Sequence, residues 1–161
     1  MASEVLYRYV VDTPLGPMTL LVSPRGARWV RYGDVPGPAG AEDSETRTAA
    51  LARQLREYFA GKRRHFDVAL DPRGTPFQQK VWRALCEIPY GSTASYKQVA
   101  RKVGKPLACR AVGGANRRNP LAIVVPCHRV IGADGALVGY SGTTGLPKKA
   151  FLLSLEHGKN A

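Results

Sequence analysis

The feature that most constrains this chain is a break at Asp71-Pro72-Arg73-Gly74, followed at once by Thr75-Pro76-Phe77-Gln78. Thr at an N-cap, Pro at the first helical position and Gln at the third form a capping box, so a helix must start here. Phe77, Val81, Leu85 and Ile88 then recur on one helical face until Pro89-Tyr90-Gly91 stops them. Ahead of the break the pattern is different. Residues 5–11 are rich in β-branched and aromatic side chains, Asp12-Thr13-Pro14-Leu15-Gly16 is turn chemistry, and short strands are expected over 18–22 and 27–32. A Gly- and Pro-rich loop over 33–40 leads to a helix over 43–60, with Leu51, Leu55, Tyr58 and Phe59 on one face and Gly61 as its stop. A last short strand is expected over 66–70. The class is α+β: an N-terminal α/β domain over 1–72, with an antiparallel sheet plus a helix, then a mostly helical domain over 73–161.

The second domain carries a helix-turn-helix, winged-helix-like pattern. Ser95-Tyr96-Lys97-Gln98 is another capping box and opens a helix to about Val103, with Gly104 as its stop. Pro106 is expected to open the next helix, which runs to Asn116. Such a pair is a weak signal alone, because many helical hairpins look alike. The second helix, Leu-Ala-Cys-Arg-Ala-Val-Gly-Gly-Ala-Asn, is nearly without bulk. Gly113 and Gly114 each cost about 1 kcal/mol in a helix interior relative to Ala. Either another helix packs very close, or this face lies against a nucleic-acid backbone or groove. Arg110 is the long cationic side chain of that stretch.

Charge sharpens the choice. The chain carries 24 Lys and Arg against 12 Asp and Glu, a net +12. Residues 1–72 hold 10 basic and 9 acidic groups, whereas residues 73–161 hold 14 and 3. A near-neutral half followed by a half of net +11 points to a polyanion meeting the second half, with a solvated basic surface as the alternative. An apolar fraction of 44% in 161 residues suffices for a packed core and excludes a disordered chain. No apolar run approaches the roughly 18 residues of a membrane span, and the start lacks secretory-signal character. The expected location is cytoplasmic, or nuclear in a host with a nucleus.

Three cysteines without a CxxC pair argue against a disulfide framework and a cysteine-rich zinc site. Cys86 follows the apolar stripe of its helix and Cys109 lies in the small-residue helix, so both are expected to be packing residues. Cys127 is different. An apolar run over 121–128 ends in Pro126-Cys127-His128-Arg129, at an expected strand-to-loop transition. Histidine supplies a base and arginine positive potential, neighbours that favour a thiolate. Adjacent side chains of an extended chain face opposite ways, so either the chain turns here or a water links imidazole to thiol.

Pro126-Cys127-His128-Arg129-Val130 resembles the active-site motif of the O6-alkylguanine-DNA alkyltransferases, the methylated-DNA–protein-cysteine methyltransferases. Gly74-Thr75-Pro76-Phe77, Val81-Trp82, Ile88-Pro89-Tyr90-Gly91, Ser95-Tyr96, Arg110-Ala111-Val112-Gly113, Asn119-Pro120 and Gly139-Tyr140-Ser141-Gly142 agree in order and spacing. The resemblance covers most of 74–157 and is weaker over 1–72. No cysteine pattern matches the N-terminal zinc site of some relatives.

The resemblance implies direct, irreversible, single-turnover transfer of an alkyl group from O6-alkylguanine, and from O4-alkylthymine, to Cys127. It also implies minor-groove binding by the helix-turn-helix, base flipping, no cofactor and no metal, and a monomer acting on double-stranded DNA. By position, His128 activates Cys127 through a water and Glu156 orients His128. Asn119 holds the turn before the motif, and Tyr96 donates to the guanine ring. Arg110 fills the gap left by the flipped base. Gly113 and Gly114 admit the DNA, and Lys97 and Lys105 contact phosphates. Tyr140, Ser141 and Val130 line the substrate pocket. Two rivals remain at this point: a lesion-binding relative without chemistry, against which Cys127 argues, and a DNA-binding regulator whose Cys-His pair is structural or redox-sensing.

Overall fold

The computed structural model describes residues 4–137 and 145–158. The chain divides into two compact units, Met1–Arg73 with Pro120–Val124, and Gly74–Asn119 with Val125–Ala161.

In the first unit β1 (Tyr7–Thr13), β2 (Gly16–Ser23) and β3 (Gly26–Tyr32) form an antiparallel meander. The two-residue β4 (Glu42–Asp43) adds in parallel to β1, giving the order β3-β2-β1-β4. β2 is an interior strand, and Met18 to Ser23 are all buried, as expected of a strand covered on both faces. α1 (Glu45–Phe59) packs on β1 and β2 through Leu51, Leu55 and Tyr58, and Ser44 caps its start by accepting from the Arg47 amide. Asp71 of the sequence break is held by the Ser23 hydroxyl at 2.6 Å and the Arg28 guanidinium at 2.9 Å. The strand expected over 66–70 does not form. Leu70 makes one isolated bridge to Ala27, because Asp67 instead exchanges backbone hydrogen bonds with the Gln54 side chain of α1.

In the second unit α2 (Pro76–Cys86) and α3 (Tyr96–Lys102) both begin with the full reciprocal capping box that their sequences announce. Gly74 has no room for a side chain, since a Cβ there would lie 2.4 Å from the Trp82 ring. Trp82 in turn donates its indole N–H to the Ala115 carbonyl at 2.9 Å, tying α2 to α4 (Cys109–Arg117). α3 closes in a Schellman motif. Gly104 has φ +76, its N–H reaches the Arg101 carbonyl, and the Lys105 N–H reaches that of Ala100. That closure corrects the expected start of α4. Pro106 does not open the helix; residues 105–108 form a further turn, closed from the Ala108 N–H to the Lys105 carbonyl, and α4 begins at Cys109.

Two short strands finish the frame. β5 (Ala94–Ser95), just before α3, pairs in parallel with β6 (Val130–Ile131), just after the cysteine motif. α5 (Leu146–Glu156) buries Leu152 and Leu155, together with Lys149 and Glu156. The α+β class and the helical second half with its helix-turn-helix agree with the sequence reading. Among the described residues no helix is long and apolar enough to cross a membrane.

Candidate active site

The cysteine sits on a turn built by its own neighbours, not at the end of a strand. Pro126 has φ −81 and ψ 63, an inverse γ-turn for which its ring already fixes φ. The Cys127 N–H therefore folds back onto the Val125 carbonyl at 2.8 Å, and Asn119 Nδ2 donates to that same carbonyl at 2.8 Å. Cys127–Arg129 then form one 3₁₀ turn, closed from the Arg129 N–H to the Pro126 carbonyl. The chain turns, so Cys127 and His128 do not alternate as they would in a strand.

All three side chains of the turn are buried. His128 Nε2 lies 2.7 Å from Glu156 Oε2. Arg129 grips the same carboxylate twice, Nε to Oε1 at 2.8 Å and Nη2 to Oε2 at 3.0 Å, and gives Nη1 to the Ile88 carbonyl at 2.8 Å. Glu156 is the last residue of α5, and these partners satisfy both of its carboxyl oxygens. Burial pushes the His128 imidazole below its ordinary value, and this outweighs the opposing pull of Glu156. The ring is thus neutral, with its proton on Nε2 facing the carboxylate. Nδ1 is then bare, and it is a buried atom without a hydrogen-bond partner among the described residues.

Burial also governs the thiol. Cys127 is pushed up to about 11, although a hydrogen bond from Asn119 and the charge of Lys149 pull the other way. The resting group is a thiol, so the neighbours that favour a thiolate do not outweigh burial. The cation beside the thiol is not the Arg129 that the motif suggests. Arg129 is occupied with Glu156, whereas the charge that acts on Cys127 belongs to Lys149. Lys149 is fully buried, donates to the Val130 carbonyl, and is lowered to about 8 by that burial. Lys149 and Glu156 stand seven residues apart, two helical turns on one face of α5.

Tyr96 is the first residue of α3 and half-buried, brought alongside the motif by the β5–β6 pairing. Burial raises its phenol, and the nearby Cys127 adds to this, so it remains a proton donor. On α4, a Cβ built on Gly113 would meet only the Tyr96 ring at 3.8 Å, and one on Gly114 only the tip of Arg118 at 3.3 Å. Tight helix packing therefore does not demand these glycines. Arg110, Lys97 and Lys105 are exposed. Two corrections concern the other thiols. Cys86 and Cys109 are exposed, not packed, because Cys86 ends α2 on its outer flank and Cys109 begins α4 on its open side. Tyr140 and Ser141 lie outside the described residues. Among those described, no cluster of three His, Cys, Asp or Glu is placed to hold a metal ion.

The fold and the site together define a class, a two-unit α+β protein with a helix-turn-helix and a buried cysteine beside a His–Glu pair. Two family models match, the ribonuclease-like domain of 6-O-methylguanine DNA methyltransferase over residues 5–72 and its DNA binding domain over residues 76–158. The chain is 47% identical over 155 residues to a methylated-DNA–protein-cysteine methyltransferase of Methanosarcina barkeri, covering 94% of this chain and 97% of that one. It is 47% identical over 161 residues to the constitutive enzyme of Bacillus subtilis, covering 93% and 94%. Mycobacterium tuberculosis OGT, solved in complex with DNA, superposes with a TM-score of 0.88 at 45% identity, over 95% of this chain and 94% of that one. The chain belongs to the 6-O-methylguanine DNA methyltransferase family.

Proposed function

We propose that this protein repairs double-stranded DNA by taking the alkyl group of O6-alkylguanine, and of O4-alkylthymine, onto its own Cys127, once per molecule and as a monomer. The observation that carries this reading is the buried Cys127 thiol beside a neutral His128 that Glu156 holds by Nε2. In the reading, the thiol proton passes through a water to His128 Nδ1, and Glu156 stabilises the imidazolium that results. The Cys127 sulfur attacks the sp3 alkyl carbon, the carbon–O6 bond breaks, and guanine leaves with the electron pair. Tyr96 donates to the guanine ring as charge builds there. The product is a thioether, which has no easy hydrolytic exit, so the protein is spent.

The alkyl carbon inside a duplex is out of reach of a buried sulfur, so the base must be flipped. In this reading α4 enters the minor groove, only about 6 Å wide, where the lack of bulk at Gly113 and Gly114 suits close approach. Arg110 fills the vacated stack, and Lys97 and Lys105 contact phosphates. Asn119 holds the turn before Cys127, and the backbone of Cys127 and Val130 reads the guanine exocyclic amine. Val130 already accepts from Lys149, and a carbonyl has a second lone pair for the base.

Intact-mass spectrometry after incubation with an O6-methylguanine duplex tests the reading. One added methyl, localised to the Cys127 peptide and reaching a plateau at one equivalent, is expected. Sustained turnover, or an adduct on Cys86 or Cys109, sinks it.

A further inference from the structure

Two buried polar atoms of the second unit have no hydrogen-bond partner among the described residues, His128 Nδ1 and Asn116 Oδ1. Both belong to residues attached to Cys127. His128 follows it on the 3₁₀ turn, and Asn116, in the last turn of α4, gives Nδ2 to the Cys127 carbonyl at 3.4 Å. Asn116 is 1% exposed. Its orientation is set by that carbonyl, since the reverse would oppose two oxygens. An unsatisfied buried acceptor is destabilising, and replacement by Leu or Met at this position of an otherwise apolar helix face would avoid it. A pair of orphaned acceptors on two residues joined to the same cysteine is satisfied if both face a common donor.

We infer that Asn116 is a positioning residue, and that its Oδ1 and His128 Nδ1 together hold the water that carries the Cys127 proton. The inference rests on the proposed alkyl transfer and adds a member to its proton path. The hydrogen-bond balance closes. Water has two hydrogens and needs two to four polar partners when buried. It donates one hydrogen to Nδ1 and the other to Oδ1, and accepts from the Cys127 S–H. When the sulfur attacks, the S–H proton moves to the water oxygen and the water gives the hydrogen it holds against Nδ1 to the ring. One S–H bond is broken, one N–H bond is formed, and the water is regenerated. Asn116 Oδ1, which cannot take up a proton at neutral pH, retains the second hydrogen and keeps the water oriented toward the imidazole. Asn116 also accounts for a feature of α4 that DNA does not: a buried amide on the face turned away from solvent.

The test is the single-turnover rate of the full chain with free O6-benzylguanine, which needs no DNA binding, across pH 6 to 9.5. Asn116→Leu keeps the branching and removes both amide functions. Its rate relative to the unaltered protein should be down about tenfold at pH 7 and should recover as hydroxide takes over the proton at high pH. Asn116→Asp should behave oppositely. A buried carboxyl stays protonated near neutrality and mimics the amide, then ionises as pH rises and opposes the thiolate, so its relative rate should fall with pH. If Asn116→Leu does not fold, the Asp variant carries the test alone. Relative rates that are flat with pH in the folded variants overturn the role of Asn116 while leaving alkyl transfer standing. An unaltered protein that acquires no methyl group from an O6-methylguanine duplex overturns the proposed function itself.

Discussion

His128 Nε2 and Glu156 Oε2 are 2.7 Å apart, with neither side chain exposed to solvent. A carboxylate so placed fixes the tautomer, since only the Nε2–H form can donate to it. The base that faces the rest of the motif is therefore Nδ1. Glu156→Gln keeps the shape, but its amide no longer stabilises an imidazolium, and it loosens the Arg129 clamp. With the thiol held at about 11, the unaided thiolate is scarce at pH 7 and less so at pH 9. The variant should slow transfer by about a hundredfold at pH 7 and by clearly less at pH 9. Single-turnover rates at the two values decide it; an equal deficit at both would make Glu156 a packing residue.

Lys149 offers a separate handle on the same thiol. Its ammonium lowers the cost of a buried thiolate, and it is itself lowered to about 8. The charged form is thus present below about pH 8 and is lost as pH rises through that value. Lys149→Met should react about tenfold more slowly than the unaltered protein at pH 7, and the gap should narrow above pH 8. Its melting temperature should change little, because the substitution also removes a desolvated charge. A gap that widens with pH would show that the ammonium does not act on the sulfur.

What could be read from the sequence divides by how local its cause is. α2 and α3 start where Thr75 and Ser95 say they do, because a capping box is written in four consecutive residues. Cys127 and His128 come from a contiguous motif and Glu156 from a resemblance, and the structure sets His128 against Glu156. The start of α4 was misplaced because the Schellman closure after α3 carries the chain through Pro106 before helix resumes. The strand over 66–70 was lost to Gln54, a side chain thirteen residues from Asp67 whose hydrogen bonds no local pattern reveals. Lys149 and Arg129 show the limit most clearly. A lysine in an amphipathic helix reads as solvated, and only tertiary packing shows which buried cation faces the thiol and which faces the carboxylate.

Binding and chemistry should separate at Cys127. The thiol is buried in a 3₁₀ turn, whereas the cations expected to meet DNA, Lys97, Lys105 and Arg110, are exposed on α3, the turn after it and α4. Cys127→Ser should bind an O6-methylguanine duplex within about twofold of the unaltered protein and transfer nothing, since a serine hydroxyl is a far weaker nucleophile. Affinity of either form should fall steeply between 50 and 200 mM salt, roughly linearly on a log–log plot, from release of counterions. Fluorescence anisotropy with a labelled duplex measures both. A salt-independent affinity would remove the polyanion reading of the second half.

Arg110 gives the sharpest separation between duplex and base. It is exposed in the first turn of α4, flanked by Cys109 and Ala111, with Gly113 and Gly114 one turn on. Extruding a base from a duplex costs a few kcal/mol in lost stacking and pairing. A guanidinium is planar, stacks, and donates hydrogen bonds while keeping its charge, so it recovers part of that cost within the emptied stack. Free O6-benzylguanine needs no extrusion. Arg110→Ala should therefore slow transfer from a duplex by about ten- to a hundredfold and leave the rate with free base unchanged. Arg110→Lys should recover only part of the duplex rate, since an ammonium supplies charge without the planar stack. Equal slowing on both substrates would reject the stacking role and make Arg110 a support of the helix that carries it.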